Sequence, residues 1–138
     1  MSMVFDTKIA VVLREDVAVW QKLNMTAFLV SGISGTDAST VGENYEDGSG
    51  NLYLPMFRQP VMVFAADADQ IRKVYERAMR REIRLAIFTE ELFSTGNDID
   101  NRAAVIAVAA DALKLVGLAM RDHKKVVDKV LKGLSLHT

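Results

Sequence analysis

Gln59-Pro-Val-Met-Val-Phe-Ala65 is a continuous apolar run opened by a proline. Runs of this length, rich in β-branched and aromatic residues, predict a strand. Pro60 suits its first position, where a missing N–H is tolerated. Asp67 then stands as a helix N-cap, with Gln70 three residues on, as in a capping box. The helix predicted over Ala68–Arg81 places Ile71, Val74, Tyr75, Ala78 and Met79 on one face. Leu85-Ala-Ile-Phe88 follows as another strand. Strand, helix and strand in succession argue for an α/β chain.

Toward the N-terminus, Lys8-Ile-Ala-Val-Val-Leu13 reads as a strand buried on both faces, ended by Arg14-Glu-Asp16. From Val19 to Ser34, Trp20, Leu23, Ala27, Phe28 and Leu29 recur at helical spacing, with Gly35 a suitable stop. Ser34–Asn51 holds four glycines among Ser, Thr, Asp and Asn, and reads as a long loop, either mobile surface or a lid. Leu52-Tyr-Leu54 suits a short edge strand. Toward the C-terminus, Glu90–Thr95 turns. Asp98 or Asp100 caps a segment to Ala110 that alanine content favours as helix, although Val105–Val108 equally suits a strand. Leu113–Ala119 is the fourth strand and Lys124–Lys132 the last helix, ended by Gly133, with Ser135–His137 an extended tail. The expected architecture is an α/β sandwich: a mainly parallel four-stranded sheet with helices on both faces, forming one domain over 1–138.

The chain has 138 residues, half of them hydrophobic and a quarter charged, an ordinary globular composition. It has no cysteine, which excludes disulfides, thiol catalysis and cysteine-ligated metals. Its two histidines, His123 and His137, give no metal-ligand spacing, and neither a metal nor a cofactor is expected. Met1–Thr7 has no signal-peptide pattern, and no apolar run reaches the roughly 18 residues of a membrane span. The expected location is cytoplasmic, away from membranes. A net charge of −1 supplies no global field for nucleic acid. Six basic residues nevertheless lie between Arg72 and Arg84, either a solvated helix face or an anion-binding one.

Familiar catalytic motifs are missing. Gly32-Ile-Ser-Gly35 and Gly48-Ser-Gly50 belong neither to a Walker A loop nor to a dinucleotide fingerprint, and there is no nucleophile elbow. Asn24-Met-Thr26 matches a glycosylation sequon by chance. His123 reads as an exposed residue at a helix start. In open α/β sheets, ligands bind beyond the carboxyl ends of the strands. That rule brings Arg14, Glu15 and Asp16 to the same edge as Glu90 and Glu91 if the first and third strands run parallel. Lys22 and Asn24 start the helix leaving that edge. A lysine beside a carboxylate could polarise an ester carbonyl or orient a water. It could equally be a structural ion pair, and Asn24 equally a satisfied buried amide.

These segments resemble the type II peptidyl-tRNA hydrolases. Lys8–Asp16 is similar to their opening strand, Gln59–Asp69 with its helix to their second strand and helix, and Arg84–Thr89 to their third strand. Leu115–Ala119 and Lys125–Leu136 are similar to their last strand, helix and tail. With Trp20-Gln-Lys-Leu-Asn24 and Tyr53–Pro60 included, the whole chain resembles an uncharacterised bacterial family of that fold. The resemblance implies a three-layer α/β/α sandwich on a mixed four-stranded sheet whose last strand is antiparallel. It also implies a hydrolase acting on an ester-like bond. Lys22 would then be the catalytic lysine, Glu90 or Glu91 would replace an aspartate, and Ser94 or Thr95 a threonine. Asn24 would assist, and Arg14, Asp16, Glu91 and Thr95 would contact ligand. The family's glycine-rich turn and helix histidine are replaced here by Asp16-Val-Ala-Val-Trp-Gln-Lys-Leu23 and Ala27–Val30. A non-catalytic module binding a small ligand or a protein is therefore the alternative. The partners to expect are tRNA for the enzyme, and a second copy in a homodimer.

Overall fold

The computed structural model describes residues 4–138. At its centre lies β1 (Thr7–Arg14), where Ile9, Ala10, Val11 and Val12 are wholly buried. A strand apolar on both sides is stable only with both faces covered. Burying a Val or Ile side chain fully contributes about 1.5–3 kcal/mol. The chain continues through α1 (Val19–Thr36), β2 (Tyr45–Glu46), β3 (Leu52–Tyr53), β4 (Val61–Ala66), α2 (Ala68–Arg80) and β5 (Leu85–Thr89). It ends with α3 (Asp98–Ile106), β6 (Leu115–His123), α4 (Lys124–Val130) and β7 (Ser135–Leu136).

Among the described residues the protein is a mixed α/β molecule with four α-helices and a five-stranded sheet of order β5-β6-β1-β4-β7. β1 runs parallel to β4, while β6 is antiparallel to both β1 and β5. Hence β1, β4 and β5 point the same way, as expected, but the sheet is not mainly parallel in its pairing: only β1 with β4 pairs in parallel, because β6 inserts between β5 and β1. The fifth strand was not expected: the tail residues Ser135 and Leu136 pair with Ala65 and Phe64 on the free edge of β4. Two residues are too few to leave an alternating pattern in sequence. Leu113–Ala119 also falls short of the strand it marks. β6 runs to His123 because Arg121, Asp122 and His123 pair with Ile9, Lys8 and Thr7.

One core lies on each face of the sheet. Ile9, Val11 and Leu13 meet Met25, Leu29 and Ile33 of α1. Ala10 and Val12 meet Ile71 and Val74 of α2 with Val127 and Val130 of α4. The capping box of α2 forms as expected: Gln70 N donates to Asp67 at 2.8 Å and Asp67 N to the Gln70 side chain at 2.9 Å. Met79, however, is half exposed at 52%. The basic set is partly consumed in pinning neighbours. Arg72 donates to the carbonyls of Ala110 and Leu113, and Arg77 to those of Val130 and Lys132.

Four further expectations are corrected. In α1 the buried stripe is Met25-Leu29-Ile33, not Trp20, Leu23, Ala27 and Phe28, which are exposed. Gly35 does not stop this helix, which runs to Thr36 with Asp37 as its C-cap. The loop to Asn51 holds a 3-10 turn at Ala38–Thr40 and the strand β2, which pairs with β3, so Leu52 and Tyr53 make a separate hairpin and not a sheet edge. Val105 and Ile106 are helical. Asn97 caps α3 by accepting from Asp100 N at 2.9 Å, one residue ahead of the expected acidic cap. No helix among the described residues is long and apolar enough to cross a membrane.

Candidate functional site

The carboxyl ends of β1 and β5 bring Arg14 and Glu90 together. Arg14 Nη2 stands 3.0 Å from Glu90 Oε1, its Nε donates to Asp16 at 2.6 Å, and its Nη1 to the Leu115 carbonyl at 3.4 Å. The hydrogen bond to Asp16 and, less strongly, that to Glu90 outweigh burial and hold the guanidinium above its ordinary pKa. Asp16 is held below the usual carboxylate range, chiefly by its hydrogen bond from Arg14. Arg14, Glu90, Arg72 and Lys114 border a cavity of about 280 Å³. Three of the five Arg14 donors are thus committed to the protein itself. The Thr89 hydroxyl beside them is buried and has no hydrogen-bond partner.

The remaining predicted residues make other contacts. Lys22 Nζ lies 3.1 Å from His137 Nε2, on the tail beside β4. No ion pair among the described residues joins Lys22 to Glu90. Asn24 is exposed on α1, so the buried-amide reading of it is corrected. Ser94 is exposed and closes a 3-10 turn over Glu90–Phe93, its N–H donating to the Glu91 carbonyl at 3.0 Å. Glu91 is partly buried in the same turn. The Thr95 hydroxyl donates to the Leu92 carbonyl at 3.1 Å and also bonds the Asn101 side chain, tying this turn to α3. His123 is the exposed cap of α4.

That tie builds a wall. Between α1 and α3, beside the outer strand β5, lies a groove of about 590 Å³. Phe28, Ile87, Phe88, Leu92, Val105 and Ile106 line it, with Ser31, Asn101 and the ion-paired Asp98 and Arg102 as polar members. Phe28 meets Phe88 edge to face at 6.0 Å between ring centres, and Phe88 meets Phe93 at 4.9 Å. Phe28 stays 53% exposed and Ile106 86%. Concave, mostly apolar surface with a few polar groups is what small-molecule sites share. The sequence reading missed this groove. Its one signal was surplus: α1 carries more apolar residues than a single buried stripe can use. No group of His, Cys, Asp or Glu among the described residues is arranged to hold a metal ion.

The model of a family described as a protein of unknown function, DUF2000, matches residues 7–138. No curated protein matches the chain. A solved structure of a protein of unknown function from Agrobacterium tumefaciens strain C58 is similar, at 48% sequence identity and a TM-score of 0.95. The likeness covers 98% of this chain and 100% of that one.

Proposed function

The chain belongs to DUF2000, a family of proteins of unknown function, and we propose that it is a non-catalytic module binding a small, largely apolar ligand, built on a type II peptidyl-tRNA hydrolase-like sandwich. The open groove lined by Phe28, Ile87, Phe88 and Val105 carries this reading. The polar residues of the opposite candidate, Arg14, Asp16 and Glu90, are bonded to one another. The test is fluorescence of N-phenyl-1-naphthylamine, an uncharged probe that brightens in apolar surroundings. Saturable binding is expected for the wild type. Ile106→Glu, which changes an exposed side chain, is expected to weaken it about tenfold, or 1.4 kcal/mol. Absence of saturable binding by the folded wild type would sink the reading.

A second reading, hydrolysis of an ester-like bond such as that of peptidyl-tRNA, is favoured by Arg14 holding Glu90 beside the smaller cavity. In it Glu90 orients a water and Lys22 reaches toward the substrate. Turnover of a peptidyl-tRNA mimic that disappears in both Lys22→Ala and Glu90→Ala would establish it in place of the first. No turnover by wild type would dismiss it.

A further inference from the structure

A second cavity, of about 320 Å³, opens where α1 ends over the start of β5. Ile33, Thr36, Asp37, Arg84, Leu85 and Arg121 line it. Gly32 and Ala86 line both this cavity and the apolar groove, so the two adjoin. Gly32 lets α1 approach β5 there, since a Cβ on it would stand 3.3 Å from the Cβ of Ala86.

The cavity is unbalanced in both charge and hydrogen bonding. It holds two guanidiniums against one carboxylate. The Arg121 Nε–H is buried and meets no acceptor. Buried donors are almost always satisfied, so an orphan one asks for an unseen partner. The Nη1 of Arg121 reaches Asp37 Oδ2 only at 3.3 Å. Strong charged N–H···O bonds run nearer 2.7–2.9 Å. Asp37 is itself occupied, because its Oδ1 accepts from Ser39 N at 2.9 Å and from the Ser39 hydroxyl at 2.6 Å. Arg84 enters no ion pair among the described residues.

We propose that Arg84 and Arg121 bind the carboxylate of an amphipathic monoanion whose apolar body lies along the adjoining groove. One negative charge balances the cavity, and a carboxylate presents the two coplanar acceptors that an arginine fork matches. The apolar-body half of this assignment rests on the groove reading above; the anion pocket stands on its own residues.

Displacement of N-phenyl-1-naphthylamine by octanoate and by octanol at pH 7 separates the two halves. Wild type is expected to prefer octanoate by about tenfold, the range of one hydrogen-bonded charge. Arg84→Gln, a change at an exposed residue, should erase that preference and leave octanol unchanged, and Arg121→Gln should do the same. Asp37→Asn keeps a capping side chain but removes the competing charge, so it should tighten octanoate alone. Equal displacement by the two ligands in wild type, or a preference that survives both arginine variants, would overturn the proposal while leaving the groove reading intact. If the probe itself does not bind, the groove reading fails. Titration with acetate, followed by the Arg121 Nε–H resonance, then decides the pocket: a saturable shift lost in Arg84→Gln upholds it, and no shift overturns it.

Discussion

The Asp47 carboxylate gathers its own turn. It accepts from Ser49 N at 2.8 Å, from Asn51 N and Asn51 Nδ2 at 3.0 Å each, and from the Tyr53 hydroxyl at 2.7 Å. These bonds, led by that from the Asn51 side chain, hold its pKa far below the ordinary carboxylate range, and they raise that of Tyr53. A depressed folded-state pKa stabilises the hairpin fully above the unfolded value of about 3.9. That stabilisation is lost progressively as pH falls from the unfolded value through the folded one. The β2–β3 hairpin should therefore keep its native Asn51 and Tyr53 amide shifts below pH 3.9, where ordinary aspartates have already titrated. A midpoint at the ordinary aspartate value would contradict the network. Arg14 illustrates a different outcome at the same scale. Its three contacts are satisfied within the protein, which makes it a positioned residue rather than a free one.

Among the elements, α1 owes its seat to a residue it does not contain. Gly117 on β6 leaves room for Leu29 and Met25, whose Cδ1 and Sδ would each stand 2.9 Å from a Cβ placed there. Real Cβ atoms do not come this close, so a side chain at 117 must displace the flexible ends of Leu29 and Met25 within a filled core. Gly117→Val should cost about 1–3 kcal/mol of stability, the range for overpacking a filled core, measured by urea unfolding. It should also weaken probe binding, because α1 forms one wall of the groove. A loss below about 0.5 kcal/mol, the level of an ordinary surface change, would show that α1 does not depend on this close approach.

For the whole molecule, stability is concentrated where both faces of the sheet are covered. β1 and β6 occupy the middle of the sheet, between α1 on one side and α2 with α4 on the other. The β2–β3 hairpin pairs with neither. Local opening follows buried apolar contact, so amide exchange should be slowest at Ile9–Val12 and Leu118–Met120 and fastest over residues 43–54. Slow exchange in the hairpin would mean that it packs on something beyond its own two strands. The apolar groove sits at the β5 edge of the sheet, away from this stable centre, where adjustment to a ligand costs least, whereas the anion cavity reaches in to Arg121 on β6.

Much of this arrangement was written locally. A continuous apolar run, a capping box and an α-β alternation each leave a signature within one short window, so β1, β4, α2 and β5 were legible from residues alone. The placing of Arg14 and Glu90 at one edge was legible too, because parallel strands deliver their carboxyl ends together, but their ion pair was not. Other choices depended on pairing across the chain. Lys22 and His137 are 115 residues apart, and Asp37 and Arg121 are 84 apart. Nothing in either neighbourhood announces its partner. Nor could helical periodicity choose Met25-Leu29-Ile33 over Trp20, Leu23 and Phe28, which are equally apolar. That choice fell to shape: Gly117 admits one stripe, and the remaining aromatic surface is left beside β5 as the wall of a groove. Hydrophobicity says how much of a chain is buried, and only the packed sheet says which part.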